Sequence, residues 1–151
     1  MSNTQAMCTS FKAEILSGIH ALGTTVIRAG TGADTIKAAL YLASATVNAA
    51  TTAYSATGEV SGTGYSAGGI TVTNATAPTS SGTTAYWTPS ASFTYTTVTL
   101  TTSFDCVLVY NSTQSNKAIS AHTFGAQTIT AGTFVLSMPT NDSTNALTRI
   151  A

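Results

Sequence analysis

Apolar residues recur along this chain with two different periods. Phe11, Ile15, Ile19 and Leu22 are spaced by four, four and three, which predicts one face of an amphipathic helix over residues 11–22, starting near Thr9 or Ser10 and ending before Gly23. Glu14 in the first turns and His20 in the last agree with the helix dipole. From residue 35 the period falls to two: Ile36, Ala38, Leu40 and Leu42 alternate with Thr35, Lys37, Ala39 and Tyr41, the pattern of a half-buried strand. Residues 43–53 are rich in alanine, but Thr46, Val47, Asn48, Thr51 and Thr52 disfavour a helix, so a loop with at most one helical turn is expected.

Further on, residues 70–73 read as a short strand and 74–82, with Pro78 and a Thr-Ser-Ser-Gly run, as a loop. Pro89 interrupts the stretch between Trp87 and Phe93. Over residues 93–100, Phe93 and Tyr95 share one parity while Val98 and Leu100 share the other, which predicts a bulge or a strand covered on both sides. Phe104, Cys106, Leu108 and Tyr110 then occupy one face and Val107 and Val109 the other, the signature of a central strand. A polar turn over 111–116 follows. Strands are expected at 117–124 and 127–130, separated by Gly125, and at 133–138, ended by Pro139, with a last short strand or docking segment in 145–151. One leading helix and many short strands predict an all-β fold, an antiparallel β-sandwich or jelly roll with one N-terminal amphipathic helix; a small open barrel is the alternative.

Length and composition narrow the function. A chain of 151 residues fits a single domain, here with residues 1–10 as an extended arm. Ser and Thr make up about a third of the residues, whereas charged residues are 7% and sum to a net charge of zero. An ordinary soluble domain carries about 25% charged residues. So little self-repulsion favours association with neutral polar partners. Lys12, Arg28, Lys37, Lys117 and Arg149 are scattered, which argues against nucleic acid as a direct partner. No apolar run is long enough for a membrane helix, and the first seven residues lack the pattern of a secretory signal. Cys8, placed near the terminus, and Cys106, inside an apolar strand pattern, are expected to be free thiols of a protein made in a reducing cytoplasm.

The search for chemistry returns little. His20 and His122 stand at no ligand-type spacing from Cys, Asp or Glu, so both are expected to be structural, with no metal and no cofactor. Asp105 and Cys106 adjoin but point to opposite faces of a strand. No Gly-Xaa-Ser-Xaa-Gly elbow exists, and Glu14, Asp34, Glu59, Asp105 and Asp142 are dispersed, so no catalytic residues are assigned and the chain is expected not to be an enzyme. Sequons at Asn74, Asn111 and Asn141 are ordinary in so Ser/Thr-rich a chain.

One segment is distinctive. Residues 54–69, Tyr-Ser-Ala-Thr-Gly-Glu-Val-Ser-Gly-Thr-Gly-Tyr-Ser-Ala-Gly-Gly, interleave five glycines with tyrosines and a single acid. The spacing of Gly62, Gly64 and Gly68 does not fit a phosphate loop, and no Lys accompanies them. The segment suits a backbone that turns sharply and lies flat against a neighbour. Glu59, Gly62, Gly64, Tyr65 and Gly68, together with Tyr86 and Trp87, are therefore the candidate interface residues. Tyr41, Tyr54 and Tyr95 complete an aromatic set that fits either a sugar-stacking surface or the core and rim of a sandwich.

Phe-Lys-Ala-Glu-Ile-Leu-Ser-Gly-Ile-His at 11–20, Asp-Thr-Ile-Lys-Ala-Ala-Leu-Tyr at 34–41, the Gly-Glu-Val-Ser-Gly-Thr-Gly-Tyr core at 58–65, Tyr-Asn-Ser at 110–112 followed by Asn-Lys-Ala-Ile, and the ending Asn-Ala-Leu-Thr-Arg-Ile-Ala together resemble small virion proteins of tailed bacteriophages. The resemblance runs through nearly the whole chain and is most specific in the glycine-rich core. It implies a structural, non-enzymatic role similar to capsid cement or decoration proteins: a β-rich, often jelly-roll domain on the capsid surface that binds the major capsid protein and its own copies as a homo-oligomer. The alternative it leaves is a neck, tail or fibre component with a carbohydrate- or receptor-binding role.

Overall fold

A computed structural model describes residues 3–8, 10, 11, 15, 19, 20, 22, 33–73 and 76–151. Eight strands follow in chain order: β1 (Ala6–Met7), β2 (Ile36–Leu42), β3 (Ile70–Thr71), β4 (Thr79–Ser81), β5 (Thr84–Trp87), β6 (Phe93–Asn111), β7 (Lys117–Leu136) and β8 (Thr148–Ile150). They form two antiparallel sheets, one ordered β1-β7-β6-β2-β3 and a smaller one ordered β4-β5-β8. The protein is all-β and antiparallel. Most of the helix expected over 11–22 lies outside the described residues; of its apolar set Phe11 is buried, and Ile15 and Leu22 pack against the core.

The strand read in 36–42 is β2, paired along its length with the C-terminal half of β6 from Ile36↔Asn111 to Leu42↔Phe104, but it is covered on both faces and not half-buried, because Ala39 and Tyr41 are buried along with Ile36, Ala38 and Leu40. The double-sided apolar pattern of 104–110 sits in the middle of the larger sheet, as a central strand should, with Phe104 and Cys106 through Tyr110 all buried. Cys106 is thus a core residue, and burial pushes its thiol up to about 12. Cys8, near the terminus, is also buried: β1 pairs with β7, the Cys8 amide donates to Ile119 O, and Asn3 bonds Leu42 O, Asp105 and the Val47 amide. Both cysteines are free thiols. Residues 3–8 are an edge of the chain's own sheet.

β6 and β7 form one long hairpin around the turn at 112–116, where Ser115 and Asn116 take positive φ. The hairpin does not stay flat. Between Leu100 and Phe104, β6 carries more residues than β7 does between Ile129 and Gln127, and between Phe104 and Cys106 the excess passes to β7. Such unequal pairing bends and twists a ladder. The outer arm, 93–103 with 127–136, consequently folds back over the sheet: Tyr95 OH donates to Ala38 O at 2.9 Å, and Phe134 on the arm meets Phe104 at 5.1 Å between ring centroids in an edge-to-face pair. Phe124 completes the cluster at the bend.

Two expectations need correction here. Gly125 does not separate two strands, because β7 runs unbroken from Lys117 to Leu136; the glycine sits where the strand bends, not where it ends. The loop expected at 74–82 contains a strand, β4, which turns into β5 through a two-residue connection with Gly82 at φ 59. A glycine at the first turn position is what such a tight hairpin requires. The parity switch in 93–100 is the expected bulge: Thr97 takes a φ of 53, and Phe93, Tyr95, Val98 and Leu100 are then all buried while Thr94, Thr96 and Thr97 face solvent. As expected, 43–53 is a loop and 148–150 a short final strand.

Candidate functional site

The glycine-rich segment runs along the free edge of β2. Glu59 bridges Tyr41, the Val60 amide donates to Leu40 O, and further on Ala38 pairs with Ile70 and Lys37 with Thr71. Between these two contacts residues 61–69 leave the edge, so Leu40 N–H loses the strand that would have paired it. A tyrosine hydroxyl takes over: Tyr65 OH accepts from Leu40 N at 3.0 Å, while Tyr95 OH donates to Ala38 O beside the pairing of Ala38 with Ile70. Buried backbone groups are thereby satisfied without a continuous ladder.

The excursion crosses to the folded-back arm, where Thr63 bridges Thr99 and its carbonyl accepts from the Thr99 amide at 2.9 Å. Glycine is obligatory where the two backbones touch. A Cβ at Gly62 would lie 2.0 Å from Thr99 O, and one at Gly69, where φ is 70, would lie 1.8 Å from Ala38 O. The segment therefore joins the edge of the sheet to the arm above it.

Glu59 is the hub of this junction. Its Oε1 accepts from Tyr65 OH at 2.7 Å and from the Gly68 amide at 2.7 Å, and its Oε2 accepts from Tyr54 OH at 2.6 Å. Tyr54 stacks on Tyr110 at 4.7 Å, Tyr110 OH donates to Gly68 O at 2.8 Å, and Tyr65 stacks on Tyr95 at 6.0 Å. Tyr41 OH donates to Ser55 O and ties in the preceding loop. Burial first, and then the neighbouring Glu59 carboxylate, push the phenol pKa values of Tyr54, Tyr65 and Tyr95 upward; burial takes Tyr41 to about 12. These phenols are neutral donors at physiological pH, and their arrangement holds a carboxylate rather than activating one.

Of the interface candidates, the structure brings Glu59, Tyr65 and Gly68 into one hydrogen-bonded cluster, with Gly62 and Gly64 exposed at the crossing beside it. Tyr86 and Trp87 lie elsewhere, on β5 of the smaller sheet. Tyr86 is half-buried, while Trp87 is 1% exposed and donates its indole N–H to Thr76 O at 2.9 Å. A buried indole offers no stacking platform for a sugar.

Sequence reasoning missed a second polar pair. Ser120 Oγ and His122 Nε2 are 2.8 Å apart, on the same face of β7, and line a cavity of about 610 Å³ with Gln5, Asn145 and Arg149. The i, i+2 spacing of Ser120 and His122 in a strand is the signal that would have found it. Burial lowers His122 to about 4, so the ring is neutral at pH 7. Among the described residues no carboxylate bonds its other nitrogen. His20 packs edge-on against Phe11 and reaches Asn111, which also bonds Asp34. Among the described residues no group of three or more His, Cys, Asp or Glu is placed to hold a metal ion.

In comparison with known proteins, no family model matches this chain, no curated protein does, and no solved structure does.

Proposed function

We propose that the chain is a non-enzymatic structural protein of a tailed-bacteriophage virion, a cement or decoration protein that binds the major capsid protein on the capsid surface. The observation that carries the reading is the role of the Glu59 cluster: the most distinctive segment of the sequence holds two layers together. The solvent face around it is neutral, with exposed Thr94, Thr96, Thr97, Thr101, Thr102, Thr128, Thr130 and Thr133 along the arm. Short uncharged side chains lose little conformational entropy on docking, and many weak equivalent contacts on a shell add up through multivalency. The jelly-roll form, the amphipathic helix over 11–22 and homo-oligomerisation belong to the same proposal, as does the absence of membrane or direct nucleic-acid partners.

The test is a copy-number count in purified virions by quantitative mass spectrometry, with the major capsid protein as internal standard. One copy per capsid subunit, or a simple fraction of that, is the expected result. A few copies per particle would remove the decoration reading and move the protein to the neck or tail.

A further inference from the structure

Among the described residues β7 is covered on its outer side only over its first residues, where Ala53 bridges Lys117, the Ala118 amide donates to Thr52 O, the Cys8 amide donates to Ile119 O and β1 pairs with Ser120 and Ala121. Among the described residues nothing hydrogen-bonds to that edge along the arm. Natural sheets guard such edges with lysines, prolines, bulges or a covering loop, because an unpaired row of N–H and C=O groups recruits another strand. In β7 the only charged residue is Lys117, at the far end, and Pro139 comes after the strand has finished. Bulges do interrupt the middle of the strand, where Ala131 takes a φ of 46. They spare Gly132–Leu136. Opposite this run the extra residue lies on β6, at Thr97, so β7 itself stays straight while pairing Leu136 with Phe93, Val135 with Thr94 and Phe134 with Tyr95. Val135, 48% exposed, is one of two large apolar side chains left in solvent among the described residues.

We infer that the edge Gly132–Leu136 pairs antiparallel with the same edge of a second copy of this chain, about a two-fold axis through Phe134. The inference rests on the structural-subunit reading for its biological use and names one contact by which copies associate. A second copy is the occupant because antiparallel pairing of one straight edge with itself is self-complementary, which a two-fold interface demands. A net charge of zero also leaves no repulsion between copies. In this register Thr133 lies opposite Val135 of the second copy, both on the solvent-facing side, so the exposed valine gains a cross-strand partner.

Sedimentation of the wild-type chain is expected to give a dimer in the micromolar range, and T133K/V135K, which sets lysine against lysine at both cross-strand pairs, is expected to give a folded monomer. T128K/T130K, outside the straight run, should leave the dimer intact. A register test needs no charged variant: a mixture of T133C and V135C should form a disulfide-linked heterodimer faster than either variant alone, since directly opposed Cα atoms lie within disulfide reach and diagonal ones do not. Cys8 and Cys106 are buried and do not compete. A wild-type monomer, a dimer indifferent to T133K/V135K, or a mixture that crosslinks no faster than its components would each overturn the inference. None of these outcomes bears on the virion copy number, so the two readings fail separately.

Discussion

At the scale of single residues, Glu59 shows how a half-buried acid can serve architecture. A carboxylate accepts without donating, and here its oxygens collect three donors that would otherwise face one another. Glu59→Gln exchanges an acceptor oxygen for an amide N–H and removes the charge; the expected cost is about 1–3 kcal/mol, read as a lower urea midpoint at unchanged slope. Tyr65→Phe should cost a similar amount, about 1–3 kcal/mol, because it strips the partner from Leu40 N–H as well as from Glu59. A Tyr65→Phe protein as stable as wild type would show that water replaces the hydroxyl. Titration adds a second check. Tyr41 has its folded pKa raised from 10.0 to about 12, so its contribution is complete below pH 10 and is lost as pH rises toward 12, with Tyr54, Tyr65 and Tyr95 shifted in the same direction. Tyrosinate absorbance should therefore appear together with alkaline unfolding. His122 works on the acid side: its folded pKa is lowered from 6.5 to about 4, so stability is complete above 6.5 and declines as pH falls toward 4. Replacing His122 with Gln should flatten that acid limb in pH-dependent thermal melts.

At the scale of elements, the legible features are those with a local cause. The alternation in β2, the two-sided core of β6 and the parity switch that Thr97 resolves are each written in a few consecutive residues. The fold-back of the hairpin is not, because it comes from unequal residue counts on two paired strands and becomes visible only once the pairing is known. Gly125 misleads for the same reason: glycine permits a bend as readily as an end, and pairing with β6 decides which. The Glu59 cluster is half legible. Its glycines and tyrosines announce close backbone contact, but whether the neighbour is another chain or another part of this one depends on long-range packing. Two glycines with similar φ, Gly82 at 59 and Gly69 at 70, separate strain from collision. Gly82→Ala, with open space around it at φ 59, should cost about 1 kcal/mol from the left-handed conformation alone. Gly69→Ala adds a clash with Ala38 O and should cost about 3 kcal/mol or more, seen as a lost transition or insoluble expression. Equal melting temperatures for the two variants would mean that the crossing segment is not pressed against β2.

At the scale of the whole molecule, a chain with so few charges must draw its stability from burial and from complete pairing of its polar groups, and both depend on the arm staying closed. Cys106 lies in the central strand and Cys8 directly after β1 at the edge of the same sheet, each with 0% exposure, so they report on its middle and its edge. If the Glu59 junction and the Phe104–Phe124–Phe134 cluster couple the layers into one cooperative unit, both thiols should stay unreactive toward a disulfide reagent in native buffer and become reactive together, at the denaturant concentration where Trp87 fluorescence also shifts. Glu59→Gln should move all three signals together to lower denaturant. Early reaction of Cys8 alone would instead mark the N-terminal edge as a separately opening unit, while a Trp87 shift ahead of both thiols would mean that the β4-β5-β8 sheet opens independently of the larger sheet.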